Sequence, residues 1–247
     1  MKKHLGGIKK DSEDLPYFYH APEMDAGQLS PEESAHACRV LRMAEGDRIR
    51  VTDGKGALYQ AVITYISPQQ VCYNITDTIT PPKSDMPMLR LAISPTKNIE
   101  RIEWLLEKLT ECGITNFDLV LTERCLRKKI NIERLQRIVI SAMKQSHGCL
   151  CPNITLYSSI TELLTSELPP QRIIAYCAEN IPKLDIYETY KRGEDSLILI
   201  GPEGDFTQLE IEQCLAANFR AVTLGARRLR TETAGLYAGL THIFCNK

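Results

Sequence analysis

Two stretches of the chain combine glycine with groups able to hold a planar or charged ligand. In Leu197-Ile198-Leu199-Ile200-Gly201-Pro202-Glu203-Gly204-Asp205-Phe206-Thr207 an apolar run meets two glycines and then a helix start, with Thr207 as cap and Glu210 at the capping-box position. Glycine lets backbone N–H and C=O groups approach a ligand closely, and the same pattern also suits a plain strand-to-helix turn. In Leu224-Gly225-Ala226-Arg227-Arg228-Leu229-Arg230-Thr231-Glu232-Thr233-Ala234, glycine again follows an apolar run, with three arginines before a second helix start. A guanidinium fork can clamp phosphate or an oxyanion, whereas an arginine cluster with no ligand is a solvated face. Neither G-x-G-x-x-G nor G-x-x-x-x-G-K-[ST] occurs, so a standard dinucleotide or P-loop site is excluded.

Charge is uneven along the chain. The 247 residues carry a net charge of -1, yet Leu121–Leu150 holds a net +5 and Phe219–Thr233 a net +3. Concentrated positive charge of this kind suits a phosphate-bearing partner. The nine cysteines are mostly scattered beside apolar residues and read as buried thiols. Cys149-Leu150-Cys151 forms a C-x-C without a second pair, which is poor zinc spacing, and no metal is expected. No apolar run is long enough to span a membrane, and the first residues lack the apolar stretch of a signal peptide, so a cytoplasmic protein without membrane contact is expected.

The elements that position these groups follow from periodicity. Ser30-Pro31-Glu32-Glu33 predicts a helix to about Met43. Alternating segments at Arg48–Thr52, Leu58–Ile66 and Val71–Ile79, separated by turn signals, predict a small β domain. Thr80-Pro81-Pro82-Lys83-Ser84-Asp85 is a composition break and the expected linker. Beyond it, apolar runs at Leu89–Ile93, Phe117–Leu121, Ile173–Cys177, Leu197–Ile200 and Ala221–Leu224 alternate with helices: one with Ile99, Ile102, Leu105, Leu106 and Leu109 on its apolar face and closed by Gly113, one from Asn131 to Ser146, one after Thr207 and one after Thr231. Such alternation predicts an α/β domain with a mostly parallel sheet covered on both faces. The expected domains are an N-terminal extension (1–16), a β domain (17–80), a linker (81–88) and the α/β domain (89–247). Ligands bind such sheets beyond the carboxyl ends of the strands, where both glycine loops fall. Trp104, between Ile102 and Leu105, reads as a packing residue; His36 and His147 lack paired ligands and carry no assigned chemistry.

Gly201-Pro202-Glu203-Gly204, followed by Leu224-Gly225 and Leu229-Arg230-Thr231-Glu232-Thr233-Ala234, closely resembles the paired motifs of the SPOUT methyltransferases, specifically the ribosomal RNA small-subunit methyltransferase E family. His36 with Val40-Leu41-Arg42 and Gly46-Asp47, then Lys97, Glu103-Trp104, Lys108, Glu111, Gly113, Glu123-Arg124 and Gln145-Ser146, continue the likeness in order from about Tyr17 onward. Asp205 stands where that family usually has a third glycine, Arg228 replaces an aliphatic residue, and Met143-Lys144 replace Ala-Glu.

The resemblance implies a PUA-like RNA-binding β-barrel ahead of a SPOUT-type α/β domain with a C-terminal trefoil knot, and a homodimer. It implies S-adenosyl-L-methionine as cofactor and N3 of a uridine in small-subunit ribosomal RNA, free or in the assembled subunit, as acceptor. The implied cofactor residues are Cys177, Ala178, Glu179, Ile200, Gly201, Pro202, Glu203, Gly204, Leu224, Gly225, Leu229, Arg230, Thr231, Thr233 and Ala234. Arg230 is the expected oxyanion stabiliser and Glu232 a candidate proton acceptor, although a carboxylate in a first helical turn is also favoured by the dipole alone. Arg39, Arg42, Arg124, Arg127, Lys128 and Lys129 are the expected phosphate contacts. Another SPOUT activity, such as ribose 2'-O-methylation, and a non-catalytic RNA-binding homologue are the competing readings.

Overall fold

The computed structural model describes residues 15–21, 25–80, 85–177 and 183–247. These form two compact units. The first takes the described chain up to residue 80 together with His147–Leu150, and the second takes 85–146 and Cys151–Lys247.

In the first unit, β1 (Tyr17–Tyr19) is followed by α1 (Pro31–Ala35), β2 (Arg48–Thr52), β3 (Leu58–Ile66) and β4 (Val71–Ile79), and the sheet order is β1-β2-β3-β4. β1 and β2 run parallel, and the other pairs are antiparallel. Alternation turns Ile49 and Val51 of β2 into a core with Phe18, Ala61 and Ile63. The Ser30 hydroxyl caps α1 by accepting from the Glu33 N–H at 3.2 Å. The single helix expected to Met43 is instead a short α-helix that widens into a π-helical turn at His36–Val40 and leaves through Arg42 in the left-handed region, φ 52°. The widened turn buries Ala37 and leaves Val40 and Leu41 exposed. His147–Leu150 joins this unit because Gly56 N–H donates to the Cys149 carbonyl at 2.9 Å and the Tyr17 hydroxyl to the Gly148 carbonyl at 2.8 Å.

The second unit runs β5 (Leu89–Ile93), α2 (Glu100–Glu111), β6 (Asn116–Val120), α3 (Ile132–Gln145), β7 (Asn153–Tyr157), α4 (Ile160–Thr165), β8 (Gln171–Ala175), β9 (Leu184–Asp185), α5 (Ile186–Thr189), β10 (Ser196–Ile200), α6 (Gln208–Ala216), β11 (Arg220–Thr223) and α7 (Thr231–Asn246). All seven strands are parallel, in the order β7-β6-β5-β10-β8-β11-β9. Apolar residues on successive positions serve opposite faces. Ile198 and Ile200 of β10 pack with α2 and α7, while Leu197 and Leu199 pack with α4 and α6. That is why the central strands read as uninterrupted apolar runs.

Helix boundaries have local causes. Asn131 caps α3 through its side chain, and Thr207 with Glu210 completes a capping box on α6. Gly113, at φ 91°, closes α2 in a conformation that a side chain would strain. α7 packs against α2 through Gly235 and Gly239, where a methyl group would lie 2.7 Å from Leu105 Cδ2 and 2.5 Å from Leu109 Cδ2. Five elements, β1 in the first unit and β7, α4, β9 and α5 in the second, are not expected from periodicity.

Candidate cofactor cleft

Three neighbouring strands, β10, β8 and β11, end side by side, so the loops that leave their carboxyl ends converge. β8 supplies Tyr176 and Cys177, β10 supplies Ile200–Glu203, and β11 supplies Leu224–Leu229 with the start of α7. Between them lie two cavities of about 310 and 410 Å³ that share Ala175, Tyr176, Cys177, Arg228, Leu229 and Ala234 as walls. Ile200, Gly201, Pro202, Glu203, Arg230 and Thr231 complete the first, and Leu224 and Gly225 the second. Eleven of the residues expected to bind cofactor therefore line one continuous depression. Ala178 and Glu179 lie outside the described residues.

The glycines have separate reasons. A Cβ at Gly201 would sit 3.0 Å from the Phe206 ring, so the loop needs glycine for its own packing. Gly225 adopts φ 103°, where glycine alone is unstrained. Gly204 does not line either cavity; it packs on the Arg124 side chain, with a built Cβ 3.4 Å from Arg124 Cβ. Asp205, the departure from the family pattern, adopts φ 60°, a conformation that aspartate tolerates better than most residues. Its Oδ2 accepts from Cys177 N–H at 2.9 Å and its Oδ1 from Phe206 N–H at 2.9 Å. A single carboxylate thus ties the β8 loop to the β10 loop.

The basic segment after β6 braces the same loop. Arg124 Nη1 donates to the carbonyls of Gly204 and Phe206, both at 3.0 Å. Arg127 donates from Nε and Nη2 to the Lys97 carbonyl, and Lys128 Nζ to the Thr122 carbonyl at 2.8 Å. Glu203 Oε1 accepts from Lys97 N–H at 3.0 Å. Three of the expected phosphate contacts thus hold backbone carbonyls of their own domain. Lys129, and in the first unit Arg39 and Arg42, are exposed.

Arg230 is the N-cap residue of α7 but makes no side-chain cap, so the first-turn N–H groups add to the positive end of the helix at the cavity. Glu232 and Thr233 turn elsewhere. They line a separate groove of about 360 Å³ with Asn98, Glu100, Arg101 and Trp104. Trp104 is 43% exposed, unlike its buried neighbours Ile102 and Leu105, and so is not the packing residue expected: it lies off the apolar stripe of α2. Tyr176, Asp205, Arg228 and Lys183 are cleft residues that the motifs did not mark. Lys183 Nζ donates to the Tyr176 carbonyl at 2.9 Å and lies over that ring. Burial, and then the Asp205 charge, push the Tyr176 phenol up. Tyr176 adjoins the marked Cys177, and Asp205 adjoins Gly204; position beside a motif was the available signal. Among the described residues no group of three His, Cys, Asp or Glu could hold a metal ion, and no helix is long and apolar enough to cross a membrane.

An α/β fold with a cleft built this way, matched by the family model "RNA methyltransferase domain" over residues 83–242 and by "RNA methyltransferase PUA domain" over 29–75, defines an RNA methyltransferase. A Synechocystis relative named ribosomal RNA small subunit methyltransferase E is 31% identical over 202 residues, 79% of this chain and 65% of that protein's length. A solved structure described as a probable rRNA-methyltransferase from Porphyromonas gingivalis is 40% identical, with a TM-score of 0.86, over 94% of this chain and 98% of that one. Ribosomal RNA small subunit methyltransferase E from Neisseria gonorrhoeae, solved bound to S-adenosyl methionine, is 30% identical with a TM-score of 0.79, over 94% and 98%. The chain belongs to the ribosomal RNA small subunit methyltransferase E family.

Proposed function

We propose that the protein methylates N3 of a uridine in small-subunit ribosomal RNA, using S-adenosylmethionine. The observation that carries this reading is the convergence of the Ile200–Glu203 and Leu224–Thr231 loops on one cleft with Arg230 at its wall. The cleft suits the cofactor: its volume lies in the small-molecule range, Pro202, Leu229 and Ala234 offer apolar surface to a purine, and the strand-end loops bring backbone polar groups to the rim. Bound there, S-adenosylmethionine supplies a sulfonium-activated methyl group.

Before the methyl group is transferred, the uracil N3–H gives its proton to water, and the charge of the resulting anion is shared by N3, O2 and O4. Arg230, with the open N-terminus of α7 behind it, stabilises that charge. Asp205 and Arg124 fix the loop that would hold the cofactor against the acceptor, and such positioning would supply a large share of the rate. Residues 17–80 form the PUA-like RNA-binding domain, 81–88 the linker and 89–247 the catalytic domain. Exposed Arg39, Arg42 and Lys129 support phosphate contact.

The C-terminal knot belongs to the same proposal, supported by the place of β11 between β8 and β9. So do a homodimer, supported by exposed Leu184, Tyr187 and Phe244, and a cytoplasmic location, supported by the ribosomal RNA substrate. The test is incubation with S-adenosylmethionine and small subunits lacking the modification, then nucleoside mass spectrometry. N3-methyluridine is expected, with the rate reduced roughly 10²- to 10³-fold in folded Arg230→Ala. A ribose-methylated product in its place overturns the choice of acceptor.

A further inference from the structure

The second cavity of the cleft carries positive charge that holding a cofactor leaves unused. Lys183, Arg227 and Arg228 line it, and among the described residues no carboxylate does. Ala175 and Val222, at its inner end, are buried, whereas Arg227 and Arg228 stand exposed at its mouth. The two acids of the first cavity are engaged elsewhere: Asp205 holds the N–H groups of Cys177 and Phe206, and Glu203 Oε1 holds that of Lys97. Among the described residues Arg227 makes no hydrogen bond or ion pair, and Arg228 makes one, from Nη2 to the Glu203 carbonyl at 3.4 Å. Each guanidinium has five N–H donors, so nearly all of them are open to a ligand. Arg124 and Arg127 differ, since they commit theirs to backbone carbonyls.

The turn that displays the two arginines is held in shape without them. Gly225 takes φ 103°, and the Thr223 hydroxyl donates to the Gly225 carbonyl at 3.0 Å. Donors on a turn fixed by other atoms are preorganised, so an oxyanion binds them at little ordering cost. Arg228 also lines the first cavity, where Arg230 stands. Arg227, Arg228 and Arg230 therefore form a row from one cavity, over the wall that the two share, into the other. Like charges gathered this way repel one another, and an anion among them relieves the repulsion. S-adenosylmethionine brings one carboxylate together with an ammonium and a sulfonium, a poor counterion for such a row. A nucleic-acid strand brings a phosphate at every linkage, and a base held at Arg230 has its own phosphodiester one ribose away along the row.

We infer that Arg228, with Arg227 beside it, is a phosphate subsite for the RNA backbone at the acceptor nucleotide, which holds the strand so that its uridine enters the first cavity. The inference rests on the proposed RNA substrate, and the test separates the two. Full-length parent protein is compared with Arg228→Met, Arg228→Lys and Arg192→Met. Arg192 is an exposed arginine on the loop that enters the amino end of β10, the end of the sheet opposite the cleft. Anisotropy of an end-labelled, single-stranded oligouridylate gives RNA affinity over a range of salt concentrations, and calorimetry gives S-adenosylmethionine affinity. Turnover of small subunits lacking the modification, read by nucleoside mass spectrometry, gives kcat and KM.

Arg228→Met should weaken the oligouridylate roughly three- to tenfold and flatten the slope of log affinity against log salt by about 0.7. KM for small subunits should rise in the same proportion, with kcat within a few-fold and S-adenosylmethionine affinity unchanged. Arg228→Lys should restore the slope and part of the affinity, because lysine keeps the charge and lacks the fork. Arg192→Met should match the parent. No loss in Arg228→Met, or an equal loss in Arg192→Met, overturns the subsite. A fall in S-adenosylmethionine affinity with RNA binding unchanged makes the cofactor carboxylate the anion and also overturns it. Loss of both affinities that Arg228→Lys does not reverse marks a damaged loop and has the same consequence. A ribose-methylated product with the Arg228→Met loss intact supports the subsite and overturns the choice of acceptor. No binding of the oligouridylate and no turnover of small subunits by the parent overturns both.

Discussion

Substitution of Gly239 by alanine should destabilise the second unit, against the direction that helix propensity alone dictates. In a helix interior the change favours folding by roughly 1 kcal/mol. Here the new methyl would lie 2.5 Å from Leu109 Cδ2, 3.2 Å from Cδ1 and 3.4 Å from Cγ. Aliphatic carbons rest at about 3.5–4.0 Å, so the overlap with Cδ2 is on the order of 1 Å, and Leu109 is fully buried with nowhere to retreat. Overpacking of that kind costs about 1–3 kcal/mol, which leaves a net loss of roughly 1 kcal/mol.

A double-mutant cycle isolates this contact. Leu109→Ala alone should cost about 2–5 kcal/mol, and it deletes all three atoms that the methyl would meet. Gly239→Ala placed in that background should therefore become stabilising by about 1 kcal/mol, an inversion of sign. Urea unfolding followed by tryptophan emission suits the test, because the one tryptophan sits on α2 beside the contact and reports this unit alone. Stabilisation by Gly239→Ala in the parent protein, or equal effects in the two backgrounds, refutes the account of α2–α7 packing.

Other expectations follow from the cleft and the core. Arg124→Met removes donors to the Gly204 and Phe206 carbonyls and should weaken S-adenosylmethionine binding about fivefold by calorimetry, with little change in melting temperature. Because Glu232 lines neither cavity of the cleft, Glu232→Gln should leave kcat within a few-fold; a fall in kcat of about 10²-fold with loss of the acidic limb of the pH profile would instead make Glu232 the proton acceptor. Burial pushes the Cys214 thiol up to about 12, so at pH 8 a thiol reagent should label exposed Cys112 and Cys177 and spare Cys214 until the chain is denatured. Because that folded-state value lies above the unfolded one, the contribution of Cys214 to stability is intact below the ordinary thiol range and declines as pH rises from there toward 12, which urea titrations at pH 8 and pH 10.5 would register.

The second unit was legible where its signals were local and strong. The apolar run Leu197–Ile200 of β10 and the Thr207–Glu210 capping box are written in nearby residues, and both stand where expected. The cleft was legible because glycine and arginine fall just after strands. The remaining elements depend on distant partners. β9 is two residues long and exists as a strand through its pairing with β11, and β7 is an edge strand with a half-exposed pattern that resembles a loop. Arg124, Arg127 and Lys128 looked like a phosphate-gripping run because charge is visible in sequence, whereas the carbonyls they hold are not. The exposure of Trp104 was legible as well, since position 104 lies off the stripe Ile99, Ile102, Leu105, Leu106 and Leu109, but its large apolar ring argued for packing.

The insertion of β11 between β8 and β9 bears on how the chain is made. Asp185 leaves the ribosome 38 residues ahead of Thr223, the β11 residue it pairs with. At about 5–20 residues per second, a nascent chain waits on the order of 2–8 s with β9 and the rim of β8 lacking their neighbour. The last loop to arrive, Leu224–Arg230, is also the one that closes the cleft. Partly synthesised chains should therefore be unable to hold cofactor, and cofactor retention becomes a readout of completed biosynthesis.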